Sequence, residues 1–576
     1  MDRQPPRTTS DAIDLYIRTY YSLLRSSGDV RVRAFEEAHL YSESSLHLGA
    51  RDATPDVAAF AYSAARLPDC MTVVRRIVLG QSHEQFEAAG LAVQSWRRVR
   101  TRGRRRPLRW DGGETLAVFV TSTSDIDDLV PIVTAYQIEW NKLRRAMTES
   151  TAGARLLSGE EIETAELSRV LGIDAQGMST LQAALGVNWE PSLREMAARE
   201  ADFFIRLLNG SFSEYQRAAQ RWWGGIEPSY LRDERPRRRP VYFVSSNTHS
   251  LSNLIGGYSR LHRDELVEFV ERQNPEGLRQ PLEAALARAD EDEVAALSYY
   301  LMRLFIHDGQ DGPEAQLARR AAVQQWDSDS GILSIESPGH VDVSAQLIEL
   351  SSIVPERLDQ RVRMKGIESL ANSDAVIINI DYPLGMAAFH HLSRLAQGVN
   401  QLRGIYVMGK AATLNGRIGD VMISTVNYDE HSKNSYLFHN CFVAGDVQPW
   451  LREATVFDNQ KALTVRSAFL QNRDYMSVFY REGYTVLEME TGPYLSAIYE
   501  IVSPNRHPDD QIVHLSNITP FDVGILHYAS DTPYSRRQSL LSKSLSYFGV
   551  ESTYGCAIAI LRRIFSDEIR RLATNE

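Results

Sequence analysis

Two carboxylates flanking a methionine, Glu488-Met489-Glu490, end the strand-like run "YTVLEME" and lead directly into the helix-like "TGPYLSAIYE". Buried acids are costly unless they are paired, hydrogen-bonded or protonated. The corner is therefore either a reactive site or a helix cap, because a carboxylate beside a helix N-terminus is favourable by itself. Three more apolar runs end on groups of comparable chemistry: "DYPLGMAAFHH" with Asp381 and Gly385, "MGKAATLNGRIGD" with Gly409 and Lys410, and "HYASDTPYSRR" with Ser530 and Asp531. A carboxyl held in such a place can donate or accept a proton. Gly409-Lys410 offers an anion backbone amides and an ammonium, although the GxxxxGK[ST] spacing of a Walker loop is missing. Taken alone, Asp531 after Ser530 is equally well a cap for the next helix.

These groups need elements that hold them together. From about residue 240 the chain alternates short, almost wholly apolar runs ("PVYFVSS", "GILSIES", "DAVIINID", "LRGIYVMGK", "GDVMISTVNY", "YTVLEME", "DVGILHYAS") with amphipathic segments. That alternation predicts an α/β layered domain whose sheet is covered on both faces, with ligands gathering beyond the strand ends. The first half reads differently. "DAIDLYIRTYYSLLRSS" places Ile13, Tyr16, Ile17, Tyr20, Leu23 and Leu24 on one helical face, and "PDVAAFAYSAARLP" and "SDIDDLVPIVTAYQIEWNKLRRAM" continue the helical pattern around one strand-like "ETLAVFVTST". The expected division is a mainly helical region over 1–150 with an Arg-rich loop, a helical segment and linker over 151–235 closing on Trp222-Trp223, and the α/β domain over 236–576.

Bulk composition excludes several classes of function. The 576 residues, 43% apolar and 24% charged, ask for more than one core and contain no apolar run long enough to span a bilayer. The N-terminus lacks a basic-then-apolar leader, so the expected location is cytoplasmic. Cys70, Cys441 and Cys556 form no CxxC pair, which argues against a disulfide framework or a cysteine zinc site. His249, His390, His391, His431 and His527 show no HxxxH or HExxH spacing, and no metal is expected. A net charge of −11 opposes general attraction to nucleic acid. The run "RRVRTRGRRRPLR" (97–109), with eight arginines but no interleaved aromatics, reads as a solvated loop or an inter-subunit contact rather than an RNA contact.

Taken in order, "GKAATLNGRIGDVMIS", "VLEMETGPYLSAIY" and "YASDTP" resemble the purine nucleoside phosphorylase and nucleosidase superfamily. Within it they look most like the AMP nucleosidase branch, whose "GKCGGL"-type loop, "IGD", acidic serine- or threonine-bearing segment and "SD"-proline have counterparts in "GKAATL", "IGD", "YDEHSKNSY" and "SDTP". The resemblance covers about residues 370–570, with a looser match from 236. It implies a three-layer phosphorylase/hydrolase-like domain with a mixed sheet, and a homo-oligomer with sites completed across subunits. It also implies cleavage of the N-glycosidic bond of a purine nucleoside or nucleotide. Asp531 would be the acid on the base, Glu490 and Met489 would hold the ribose, and Gly409 and Lys410 a phosphate. Ser530, Asp381, Gly385 and Glu430 are further candidates for the base and the loops around it, and Asp381, Glu336 and Glu430 are candidates for a water-activating base. No cofactor is implied.

Two departures bear on the reaction. No arginine precedes Gly409 to bind inorganic phosphate, which favours hydrolysis over phosphorolysis. Ala411-Ala412 replaces a small residue or cysteine followed by glycine, which favours the alternative of a nucleotide-binding sensor without turnover. Glu488 is expected to be structural, and Tyr382, Phe389 and Tyr436 to belong to the core.

Overall fold

The computed structural model describes residues 11–26, 28–103, 106–160, 162–231, 239–503, 505, 507–532 and 549–575. Two sheets organise them. The first contains β1 (Val30–Arg31), β2 (Arg76–Gly80), β3 (Arg97–Val99), β4 (Leu108–Trp110), β5 (Thr115–Phe119) and β6 (Phe204–Leu207), in the spatial order β1-β6-β2-β5-β4-β3. Helices supply most of its surroundings, chiefly α1 (Asp11–Ser26) and the 26-residue α2 (Thr123–Thr148). The expected apolar face of α1 is buried at Ile13, Tyr16, Ile17, Tyr20 and Leu24. It packs into a core with Phe60, Trp140 and Phe203.

The boundary expected at residue 150 passes through this unit. β6 lies parallel to β2, with Ile205 opposite Ile77, so residues on both sides of 150 build one sheet. The helical part of 151–235 ends in α3 (Phe212–Leu231), whose Trp222, Trp223, Ile226 and Tyr230 belong to the core of the second unit, while the expected charged linker falls on 232–238, outside the described residues. Trp222 also donates its indole N–H to Val343 O at 2.9 Å. An apolar stripe of this width needs a sheet face to cover it.

The second sheet has eleven strands: β7 (Pro240–Ser246), β8 (Ile332–Ile335), β9 (Ala345–Glu349), β10 (Val376–Asp381), β11 (Gln401–Thr413), β12 (Val421–Asp429), β13 (Ser435–Leu437), β14 (Val456–Thr464), β15 (Tyr484–Glu488), β16 (Ile512–His514) and β17 (Asp522–Asp531). It is mixed and layered with helices, as expected. All residues of β7 and β10 are buried. On one side lie α3, α4 (Met386–Gly398) and α5 (Thr491–Val502); on the other lies α6 (Val550–Asn575). Five strands close on themselves, because β11 pairs with β17, β17 with β12, β12 with β14, β14 with β15, and β15 again with β11. Small side chains, Ala411, Ala462, Val486 and Ala529, fill this ring with Met422.

A short tongue from the second unit anchors the two halves. Phe469 and Leu470 are buried in the first unit's core, where the Phe469 ring lies 5.3 Å from Tyr62 and 6.0 Å from His39. Beside it Ser44 bridges to Asn472, Ser45 N donates to Gln471 O at 2.6 Å, and Asn472 Nδ2 donates to Ser42 O at 3.1 Å. Among the described residues no helix is long and apolar enough to cross a membrane.

Candidate active site

The strand pairing leaves one place open. One edge of β11 follows β17 from Gly404 to Ala412, while the other follows β7 only as far as Val407 and is taken up by antiparallel β15 from Ala412. Residues 408–411 therefore face a crevice between the end of β7 and the end of β15. α4 follows β10, the neighbour of β7, and α5 follows β15, and their starts meet where the Gly385 N–H reaches Glu490 Oε1; helix starts favour negative charge.

Glu488 and Glu490 divide the work at this corner. The Glu488 carboxylate is buried and accepts the backbone N–H groups of Glu490 and Thr491, both at 2.7 Å, while its other oxygen accepts from Asn427 Nδ2 at 3.2 Å and from Thr464 Oγ1. It thus caps α5, the structural role expected of it. Glu490 stands at the N-cap position of α5, half-buried, and its Oε1 accepts the Gly385 N–H at 3.4 Å. Met489 packs against the Leu414, Tyr428 and Leu463 cluster.

Gly385 is at the start of α4 with φ 52° and ψ −120°, a conformation that suits glycine. A Cβ there would lie 2.2 Å from Ser124 Oγ, so the first unit leaves no room for one. Asp381 ends β10, buried, opposite Ser246 of β7. The next residue, Tyr382, brings its ring edge within 3.8 Å of the place where a Gly409 side chain would be, and His527 approaches the same place from β17 at 3.7 Å.

Gly409 and Lys410 do not form the expected loop. The chain stays extended to Thr413, with Gly409 opposite His527 and Lys410 opposite Tyr528. The Ala411 and Ala412 side chains lock into packing that glycines would not provide. What this segment can offer an anion is the Lys410 ammonium rather than a turn of amides. Strand alternation also puts Lys410 and Gly409 on opposite faces.

Asp531 closes β17 opposite Ala412, after a bulge that displaces Ser530. Ser530 Oγ donates to Asp531 Oδ2 at 3.0 Å, with Ala411 O at 3.4 Å as its alternative acceptor. Burial raises the Asp531 carboxyl above its usual range, and Ser530, Arg66 and Lys410 oppose the rise. Asp531 and the end of β15 are two strands apart across β11, about 10 Å. Arg66 comes from the first unit, held over the Tyr62 ring at 3.4 Å and donating to Tyr62 O at 3.0 Å.

Two candidates stand at the ends of other strands, Glu430 after β12 and Glu336 after β8. Glu430 is buried where the two units meet, accepting Arg466 N at 3.0 Å, and Arg466 Nε lies 3.4 Å from Asp127 Oδ2 on α2. Burial pushes the Glu430 carboxyl up to about 8. Glu336 follows the edge strand β8, two strands beyond β10. In the arginine run, Arg106 is buried and holds Asp125 Oδ1 at 3.0 Å and Asp128 Oδ2 at 3.1 Å; Arg98 pairs with Asp342 at 3.4 Å, while residues 104–105 lie outside the described residues. Sequence reasoning missed Arg66 and Ser124, since neither belongs to a local motif. Among the described residues no cluster of His, Cys, Asp and Glu could hold a metal.

Among curated proteins none matches the chain. Solved structures similar to part of it include a 5′-methylthioadenosine/S-adenosylhomocysteine nucleosidase from Colwellia psychrerythraea in complex with adenine (8% identity, 42% of this chain and 89% of that one, TM-score 0.28). A nucleosidase of the same kind from S. pneumoniae, with a transition-state inhibitor, gives 12% identity over 42% of this chain and 94% of that one, TM-score 0.27. Uridine phosphorylase from Schistosoma mansoni gives 12%, 32%, 71% and 0.24 for the same quantities. At these values nothing about this chain's chemistry follows from them. A family model, described as a family of unknown function (DUF6909), matches residues 32–566, and the chain belongs to that family.

Proposed function

We propose that the chain cleaves the N-glycosidic bond of a purine nucleoside or nucleotide by hydrolysis. One observation carries the reading: the open stretch of β11 lies between a carboxyl raised by burial, Asp531, and a second carboxylate, Glu490, set at a helix start about two strand spacings away. The motif resemblance supports the same pair.

The leaving purine takes up electrons as the bond breaks, and an acid that protonates or hydrogen-bonds its N7 makes it a better leaving group. Asp531 serves that step because its raised pKa keeps the proton available nearer neutrality. Glu490 accepts hydrogen bonds from the ribose hydroxyls and faces the positive charge that develops on the sugar. Lys410 and Arg66 supply positive charge near Asp531, suited to a phosphate group. Of the three candidates for a water-activating base, Asp381 is favoured, because it ends β10 beside the end of β7.

The test is release of free base from a panel of nucleosides and nucleotides, with and without phosphate, followed by chromatography. Release without phosphate is expected, and release only with phosphate would make the chain a phosphorylase. Asp531→Asn should lower the rate by about 100-fold or more while the fold persists. An undiminished rate in that variant would refute the assignment. Ligand binding without any release would support the sensor reading, for which Ala411-Ala412 speaks.

A further inference from the structure

The first unit touches the second on the loop that holds Glu490. Ser124, on the first turn of α2, accepts the Met386 N–H at 2.9 Å, and Ser122 Oγ donates to Leu384 O at 3.5 Å. Between those two anchors lies Gly385, whose N–H reaches Glu490 Oε1 and beside which Ser124 leaves no room for a side chain. The start of α2 is itself fixed. Asp125 accepts Thr121 N at 2.6 Å and Ser122 N at 3.3 Å, and the buried Arg106 ties Asp125 and Asp128 together. Arg466–Asp127 and the Phe469 tongue hold the same helix and its neighbours onto the second unit.

We infer that Ser124 is a positioning residue for the candidate site: by holding Met386 it sets the Gly385 amide that orients Glu490, so the first unit completes the site within one chain. This rests on the role proposed for Glu490. The first unit is thus a working wall of the site, and the arginine run contributes through Arg106, which steadies the turn that carries Ser124.

The test uses the full chain with Ser124→Ala, which removes one hydroxyl. Two readouts are taken. Amide exchange resolved at Gly385 and Met386 reports the mechanical link without any reaction, and both amides are expected to exchange about fivefold faster or more, the worth of about one hydrogen bond. Activity is read as the ratio of kcat/KM for a ribonucleoside over its 2′-deoxy counterpart, which a general loss of stability leaves unchanged. That ratio is expected to fall about fivefold, with KM for the ribonucleoside raised. Faster exchange at Met386 with Gly385 still protected would overturn the inference, and so would an unchanged ratio in an active enzyme. If the wild-type chain releases base from no substrate, the reading of the reaction fails, and the exchange at Gly385 alone decides whether Ser124 sets the loop.

Discussion

Glu430→Gln separates a catalytic carboxyl from an interface one. Glu430 is 6% exposed, its Oε2 accepts Arg466 N, and burial pushes its carboxyl from 4.5 up to about 8, with Arg466 opposing the rise and Asp429 and Asp14 adding to it. A raised carboxyl keeps its proton in the folded chain while the unfolded chain releases it, so stability falls as pH climbs from 4.5 and levels off above 8. With those two values the loss is about 2 kcal/mol at pH 6 and about 4.5 kcal/mol at pH 8.5. Glutamine keeps an oxygen for Arg466 N and has no proton to release. The variant should therefore gain about 2.5 kcal/mol relative to wild type between pH 6 and pH 8.5, measured as the difference in unfolding free energy from denaturant titrations at the two pH values. Taking that difference removes any constant cost of the substitution. Base release by the variant should persist, because the carboxyl is buried and engaged by Arg466 N. A flat difference across pH would refute the claim that Glu430 is held protonated, and loss of turnover with an intact fold would return it to the reaction.

Two further substitutions probe the framework. Phe469→Ala empties the first unit's core of the tongue's ring and should cost about 3–5 kcal/mol; it also uncovers the buried chain of hydrogen bonds from His39 Nε2 to His47 Nδ1 (2.8 Å) and from His47 Nε2 to Glu139 (2.7 Å). Equilibrium denaturation checks it, and a loss below about 1 kcal/mol would show that the tongue is no anchor. Glu488→Gln turns one of two acceptors into a donor facing the N–H groups of Glu490 and Thr491 or the Thr464 hydroxyl, for an expected cost of about 1–3 kcal/mol. Unchanged thermal stability in that variant would contradict the capping role.

What was legible in the sequence was local. β7 and β10 announce themselves as unbroken apolar runs, and the "EMET" and "SD" strand ends carry their acids within a few residues of the turn that displays them. β14 does not stand out because "VFDNQKALT" is polar through its middle, although it lies between β12 and β15 and is needed to close the ring. The same holds for β6, four residues whose partner β2 lies more than a hundred positions earlier. The glycine of Gly409-Lys410 suggests a turn, whereas pairing with β17 keeps it extended. No periodicity reveals that Ser124 touches Met386, 262 positions away.

The corner at 488–490 shows why two neighbouring acids end in different states. Glu488 is the last residue of a strand in the closed ring, so its side chain points inward, where it must find donors or lose its charge. It finds two at the start of α5 and two more on Asn427 and Thr464. That satisfaction lets α5 begin at Thr491 with Glu490 at the N-cap, where the Glu490 side chain makes no cap hydrogen bond and accepts the Gly385 N–H. A carboxylate at an N-cap position ordinarily binds its own helix. Here that task is already done by Glu488 from inside the ring, while Glu490 accepts the Gly385 N–H at the start of α4. The buried acid thus carries the cap, and the half-buried one does not. Loss of Glu488 is therefore expected to damage Glu490 through the helix start, while loss of Glu490 should leave Glu488 and the stability of α5 intact.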